Sequence, residues 1–232
     1  MKLNINSNIM KKIIAGLVMS MLLVGTITAQ EKSNEDFKKW QMRFRIVNVS
    51  PNESATIGTI GGDIAINNKF IPELDFTYFF TESFSLELIL GTSKHNVNTV
   101  GSDLTAVAGP ASTNVDLGSV WLLPPTLTAQ YHFNYDNFRP YVGAGINYTI
   151  FYSVNAGNTI KDVSYDNAFG FAFQGGFDYD LNDKWFLNID AKYILLNTDV
   201  TVDASNLAAG LSIPAKVDIN PLLIGFGVGM RF

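Results

Sequence analysis

The sequence contains no cysteine. That excludes a lipidated N-terminal cysteine, a disulfide framework, a thiolate metal site and a thiol nucleophile, so stability has to come from the fold itself. Histidine occurs only twice, at His95 and His132, which leaves few candidates for a general base. Charge is also scarce: 16% of residues are charged, against 47% hydrophobic and 12% aromatic, a balance unlike that of a water-soluble domain. Long hydrophobic runs are missing beyond the N-terminal thirty residues, so the apolar residues must be distributed with a shorter period than a membrane helix uses.

At the N-terminus, Lys2, Lys11 and Lys12 precede an apolar run from Ile13 to Val24 and a stretch of small residues ending at Ala29. The run is shorter than the ~20 residues of a spanning helix. Residues 1–29 therefore read as a secretory signal peptide cleaved after Ala29, with 30–39 a short periplasmic segment and 40–232 one β-barrel domain. Cleavage removes three lysines and no acid, moving the net charge from −5 to −8. So acidic a chain has no electrostatic footprint for nucleic acid.

The period of the mature part is two. From Leu222 to Phe232, Leu222, Ile224, Phe226, Val228, Met230 and Phe232 alternate with Leu223, Gly225, Gly227, Gly229 and Arg231. The same split recurs from Phe169 to Leu181. Two-faced segments of about ten residues are expected at 40–48, 70–80, 84–95, 121–133, 138–151, 169–181, 185–196 and 217–232. Tight polar turns at 81–83, 134–137 and 182–184 alternate with long connections at 50–69, 96–120, 152–168 and 197–216. All the short turns thus lie at one end, with both termini. This predicts an all-β fold, an eight-stranded antiparallel up-and-down transmembrane barrel in the outer membrane of a Gram-negative bacterium.

A water-soluble eight-stranded barrel is the structural rival. Its outer face should be rich in Lys, Glu and Thr. Here the second face is Gly-rich, suiting a crowded narrow interior, and the large aromatics suit lipid. Trp40, Tyr78, Tyr131, Tyr148, Tyr179, Trp185 and Tyr193 fall near strand ends, where interfacial girdles lie, while Tyr141 is expected to point inward. The terminal Phe232, behind an alternating strand, looks like the signal by which barrel precursors are recognised for assembly. The expected partners are outer-membrane lipid, the barrel-assembly machinery and a small hydrophobic solute; no cofactor is expected.

Four blocks carry a family resemblance: PELDFTYFFT at 72–81, LELIL at 86–90, LPPTLTAQYHF at 123–133 and RPYVGAGINYT at 139–149. They resemble the OmpW family of small outer-membrane proteins, across nearly the whole mature chain. The resemblance implies an eight-stranded barrel associated with passage of small hydrophobic molecules, with lateral release into the membrane as an exit.

With the apolar face outward, the inward positions of the first strands are Arg43, Arg45, Glu73, Asp75 and Glu87. Those of the middle strands are Thr126, Thr128, Gln130 and His132, and those of the last are Gln174, Asp178, Asp190, Lys192 and Arg231. Opposite charges are interleaved. The preferred reading is an ion-paired plug that fixes register; the alternative is a selective pore. Charges at Glu73, Asp75 and Lys192 sit awkwardly with an apolar conduit, so a hydrophobic pocket is expected nearer the long loops. There Ile57 and Ile60, Leu104 and Val107, and Leu207 and Leu211 form a greasy vestibule, or else pack on one another to cap the barrel or belong to short strand extensions beyond the membrane.

An outer-membrane enzyme is disfavoured. Ser93-x-His95 is a spacing common by chance, and His132 is expected at the short-turn end. Gly143-Ala144-Gly145 lies inside a strand and cannot cradle a phosphate. A structural or adhesive barrel with a plugged lumen and no transport remains the second functional class.

Overall fold

The computed structural model describes residues 37–232; the signal peptide expected at 1–29 lies outside the described residues. Fourteen strands form in chain order: β1 (Trp40–Ser50), β2 (Ser54–Ile57), β3 (Asp63–Ile66), β4 (Lys69–Phe79), β5 (Phe84–Gly91), β6 (Ser93–Val100), β7 (Asp116–Leu123), β8 (Thr126–His132), β9 (Phe138–Asn155), β10 (Asp162–Tyr165), β11 (Ala168–Asp180), β12 (Trp185–Asp203), β13 (Ser212–Asp218) and β14 (Leu222–Arg231).

Eight of them close a barrel. The antiparallel pairing runs β1–β4–β5–β8–β9–β11–β12–β14 and returns to β1. Closure joins the two ends of the domain: the Trp40 amide donates to the Phe232 carbonyl at 3.1 Å, and the Phe232 amide donates back at 2.9 Å. No edge strand is left in this part of the molecule, the condition for crossing lipid with strands. The tight turns are held by their own polar residues. Thr81 Oγ1 accepts from the Phe84 amide at 3.0 Å, and Asn182 Oδ1 from the Trp185 amide at 2.9 Å.

The alternation resolves the facing. Phe44, Phe173 and Phe226 are half exposed or more on the outer surface, whereas Arg43 and Arg45 are fully buried inside. A water-soluble barrel would show the reverse. Glycine makes this interior possible where strands meet bulky side chains. A Cβ at Gly229 would lie 2.0 Å from the Phe186 ring, and one at Gly176 2.6 Å from the Tyr141 hydroxyl. Outside, aromatic pairs gather near the short-turn end, such as Trp40 with Tyr78 at 4.9 Å and Tyr131 with Phe133 at 5.1 Å.

Beyond the barrel the structure departs from the expected long loops. Segments 50–69, 96–120, 152–168 and 197–216 carry strands, and β9 and β12 run on past the barrel to Asn155 and Asp203. Two sheets result. One joins β2, β13, the far half of β12 and β10; the other joins β3, β6, β7 and the far end of β9. Val97, Val120, Val200, Val202, Ile213 and Val217 are among the buried residues of their apolar core. Of the aliphatic residues that look misplaced in loops, Ile57 is a strand residue of this extension and Ile60, Leu104 and Leu211 pack against its core from turns, while Lys94, Asn96 and Asn98 on its outer face are exposed.

Three segments expected as single strands are interrupted. Pro124 and Pro125 separate β7 from β8, and Asn220-Pro221 separates β13 from β14, because proline has no amide to give to a ladder. Thr92, opposite the proline pair, divides β5 from β6.

Candidate functional site

The inward charges of the barrel form one network. Arg43 and Asp75 face each other across β1 and β4, as do Arg45 and Glu73. Arg43 Nε donates to Asp75 Oδ1 at 2.8 Å, and the same guanidinium pairs with Glu87 from β5. Arg45 lies 2.8 Å from both Glu73 and Asp75 and 3.5 Å from Asp190. Arg231 bonds Gln41 and Asp178 and reaches Asp180 nearer the short-turn end. A buried charge without a partner is costly, and here each faces an opposite charge.

Neutral groups complete the packing. Gln130 Nε2, Thr128 Oγ1 and Gln174 Nε2 all donate to Glu87 Oε2, at 2.5, 3.1 and 2.9 Å, and Gln174 also donates to Asp190 at 2.7 Å. Below them His132 is buried between the rings of Phe79 and Tyr141 and lies 3.1 Å from Ser85 Oγ. Thr126 sits higher, with Oγ1 turned to the Pro124 carbonyl at 3.0 Å. All fourteen inward positions named from the sequence are buried in the lumen. Sequence reasoning passed over Gln41, Thr77, Ser85, Phe186 and Asn188, which are buried on the same face. Strand parity alone would have found them, since Phe186 and Asn188 share the register of Asp190 and Lys192.

Above this floor the interior changes character. A cavity of about 70 Å³ is walled by Val49, Ile64, Ile71, Ile89, Val120 and Leu223, with Glu73 and Lys192 at its base. A second, smaller apolar cavity of about 30 Å³ lies further out in the extension, and Ile64 and Val217 border both. Of the vestibule residues, Ile57, Ile60, Leu104 and Leu207 line the outer cavity. Leu211 packs against the core, and Val107 ends a short 3-10 turn that borders neither cavity.

The wall of the larger cavity is not hydrogen-bonded throughout. The β5–β8 ladder ends at Ile89 opposite Thr126, and β6–β7 resumes at Ser93 opposite Leu122. Between them Leu90, Gly91 and Thr92 face Leu123, Pro124 and Pro125 without ladder pairing, and the strands are joined there by the Thr92 hydroxyl, which donates to the Leu122 carbonyl at 2.9 Å. Gly91 and Pro124 both border the cavity.

His95 also lines the cavity, in the extension beyond the lipid-facing band. Its Nδ1 lies 2.8 Å from the Asn67 carbonyl, so the ring is held by backbone and not by Ser93. Burial holds its pKa below the usual value, opposed by the Asn67 bond. Among the described residues no cluster of His, Asp and Glu is arranged to hold a metal ion.

Residues 38–232 match the sequence pattern of the OmpW family. The chain belongs to the OmpW family. Among relatives of this OmpW-family chain is an uncharacterized outer-membrane protein of Sinorhizobium fredii, 44% identical over 83% of this chain and 80% of that protein. Outer membrane protein W of Vibrio cholerae is 33% identical over 96% of this chain and the whole of that one. The crystal structure of OprG from Pseudomonas aeruginosa superposes with a TM-score of 0.74 at 25% identity, covering 85% of this chain and 97% of OprG. This OmpW-family barrel is thus an outer-membrane protein.

Proposed function

We propose that this OmpW-family barrel passes small hydrophobic molecules from the extension end into the membrane, without catalysis. One observation carries the reading: an apolar cavity in the upper interior ends on a closed layer of buried ion pairs. A solute that reaches Ile71 and Leu223 finds no water-filled path onward through Arg43, Arg45 and their carboxylates. The wall at Gly91 and Pro124, where ladder bonds are missing, is the exit this reading assigns. A relative from Pseudomonas aeruginosa, 28% identical over 83% of this chain and 88% of its own length, is named a dibenzothiophene metabolism operon protein. Dibenzothiophene is an apolar aromatic compound, and the name supports the solute class. Export through a cleaved signal at 1–29 and recognition of Phe232 by the assembly machinery belong to the same proposal.

Uptake of an apolar fluorescent probe by vesicles containing the protein tests the reading. Uptake should exceed that of empty vesicles while single-channel conductance stays small or absent. Ile64→Trp, which fills the junction of the two cavities, and Leu207→Ser with Leu211→Ser, at the outer lip, should each reduce it. No uptake above empty vesicles would favour a structural or adhesive barrel. A steady, large ion-selective conductance would reveal an aqueous pore.

A further inference from the structure

The larger cavity is not apolar at every point. Lys192 and Glu73 close its base, 1% and 4% exposed respectively, and both border the cavity. They stand on β12 and β4, which are not neighbours in the barrel, so their pairing spans the lumen. The pairing is loose. Lys192 Nζ donates to Glu73 Oε1 and Oε2 at 3.4 and 3.3 Å, well beyond the 2.7–2.9 Å common for a charge-assisted bond. Arg45, by contrast, holds the same Glu73 carboxylate at 2.8 Å. Glu73 is therefore anchored from below, while the ammonium facing the cavity keeps donor capacity. Of the cavity hydroxyls, Thr126 is turned to the Pro124 carbonyl and Thr149 to Asn147 Oδ1 at 2.7 Å.

A pocket that is apolar over nearly all its wall, with a few placed polar groups, orients its ligand by those groups. A lone hydroxyl fits this pair in a way other head groups do not. Its oxygen accepts from the ammonium while its proton goes to the carboxylate. A carboxylate ligand would meet Glu73 and, 3.9 Å from Lys192, Asp190. A pure hydrocarbon would leave the ammonium with only its long contacts to Glu73.

We propose that the cavity binds preferentially small apolar molecules carrying a single neutral hydroxyl, a phenol or short alkanol, whose oxygen bridges Lys192 and Glu73. The inference rests on the hydrophobic-solute reading and refines its substrate class.

Fluorine NMR on the protein in lipid nanodiscs tests it with three matched probes: 4-fluorophenol, fluorobenzene and 4-fluorobenzoate, each measured against empty nanodiscs. 4-Fluorophenol should bind about tenfold or more tightly than either of the others, a difference of ~1.4 kcal/mol. Lys192→Met should remove that advantage, so that 4-fluorophenol binds no more tightly than fluorobenzene. Because Lys192→Met leaves one carboxylate less well compensated, the double variant Lys192→Met with Glu73→Gln provides a second measurement and should behave the same way. Equal binding of all three probes, or an advantage that survives both variants, overturns the hydroxyl assignment and leaves apolar binding intact. Tightest binding of 4-fluorobenzoate overturns it too, in favour of an anion site at Lys192. No protein-dependent shift for any probe overturns the cavity-binding reading together with this refinement.

Discussion

Arg43 and Asp75 are directly opposed across the β1–β4 ladder, and the guanidinium Nε lies 2.8 Å from the Asp75 carboxylate with both side chains fully buried. Asp75→Ala would leave Arg43 and Arg45 short of a partner in an enclosed lumen. It should cost about 3 to 5 kcal/mol. The exposed pair of Lys161 and Asp203, 3.6 Å apart at the extension surface, should contribute at most about 1 kcal/mol. Urea titrations of folding into lipid vesicles measure both. Equal costs would remove the barrel floor from the account of stability.

Barrel closure depends on the absence of a side chain at Gly229, which lies against Arg43 and the Phe186 ring. Gly229→Leu should cost about 3 kcal/mol or more through overpacking. The unheated wild-type protein should migrate as a compact form in detergent gels and shift on boiling, and the variant should lose that compact form. A variant that keeps it would show that β14 can move without opening the barrel.

Facing is tested at mid-depth. Phe173 is 52% exposed on the outer surface of β11. Phe173→Arg should cost about 2 to 4 kcal/mol in a bilayer, and Phe173→Leu under about 1 kcal/mol. Folding titrations into vesicles distinguish them. An arginine tolerated as well as leucine would place this face away from lipid.

The extension should respond to acid through His95. Burial lowers its pKa, so the folded state binds fewer protons than the unfolded state once pH falls below about 6.5. Stability of the extension should therefore be full above that value and decline as pH falls through the window down to the lowered pKa. Lys69, which disfavours the charged ring, and Glu53, which favours it, modulate the effect. Amide protection factors in β6 and β7, taken relative to the intrinsic exchange rate at each pH, should fall between pH 7.5 and pH 5 in the wild type. In His95→Gln that loss of protection should shrink. An unchanged loss would assign the acid response elsewhere.

Much of this protein is legible without coordinates, and particular residues show why. Phe169, Phe171 and Phe173 alternating with Gly170, Ala172 and Gln174 state a two-faced strand, because side chains along a strand point to opposite faces. Tight turns such as Asn182-Asp183-Lys184, alternating with long connections, state an up-and-down order. Segments 96–120 and 197–216 were less legible. The strands of 96–120 are short and interrupted near Gly101 and Gly118 with positive φ, and both segments are stabilised by partners far away in sequence, such as Ile64 of β3 against Thr99 of β6 and Ile57 of β2 against Ala215 of β13.

By itself, then, the sequence determined the barrel, its strand number, the face that meets lipid and the family, since each depends on local periodicity and on turn chemistry. Only the tertiary structure decided that Lys192 meets Glu73 across the lumen, that the presumed loops pack into two sheets over an apolar cavity, and that the wall beside Pro124 lacks ladder bonds. These depend on register between strands distant in the chain and on how side chains fill a closed interior, and neither is written in the spacing of residues along one strand.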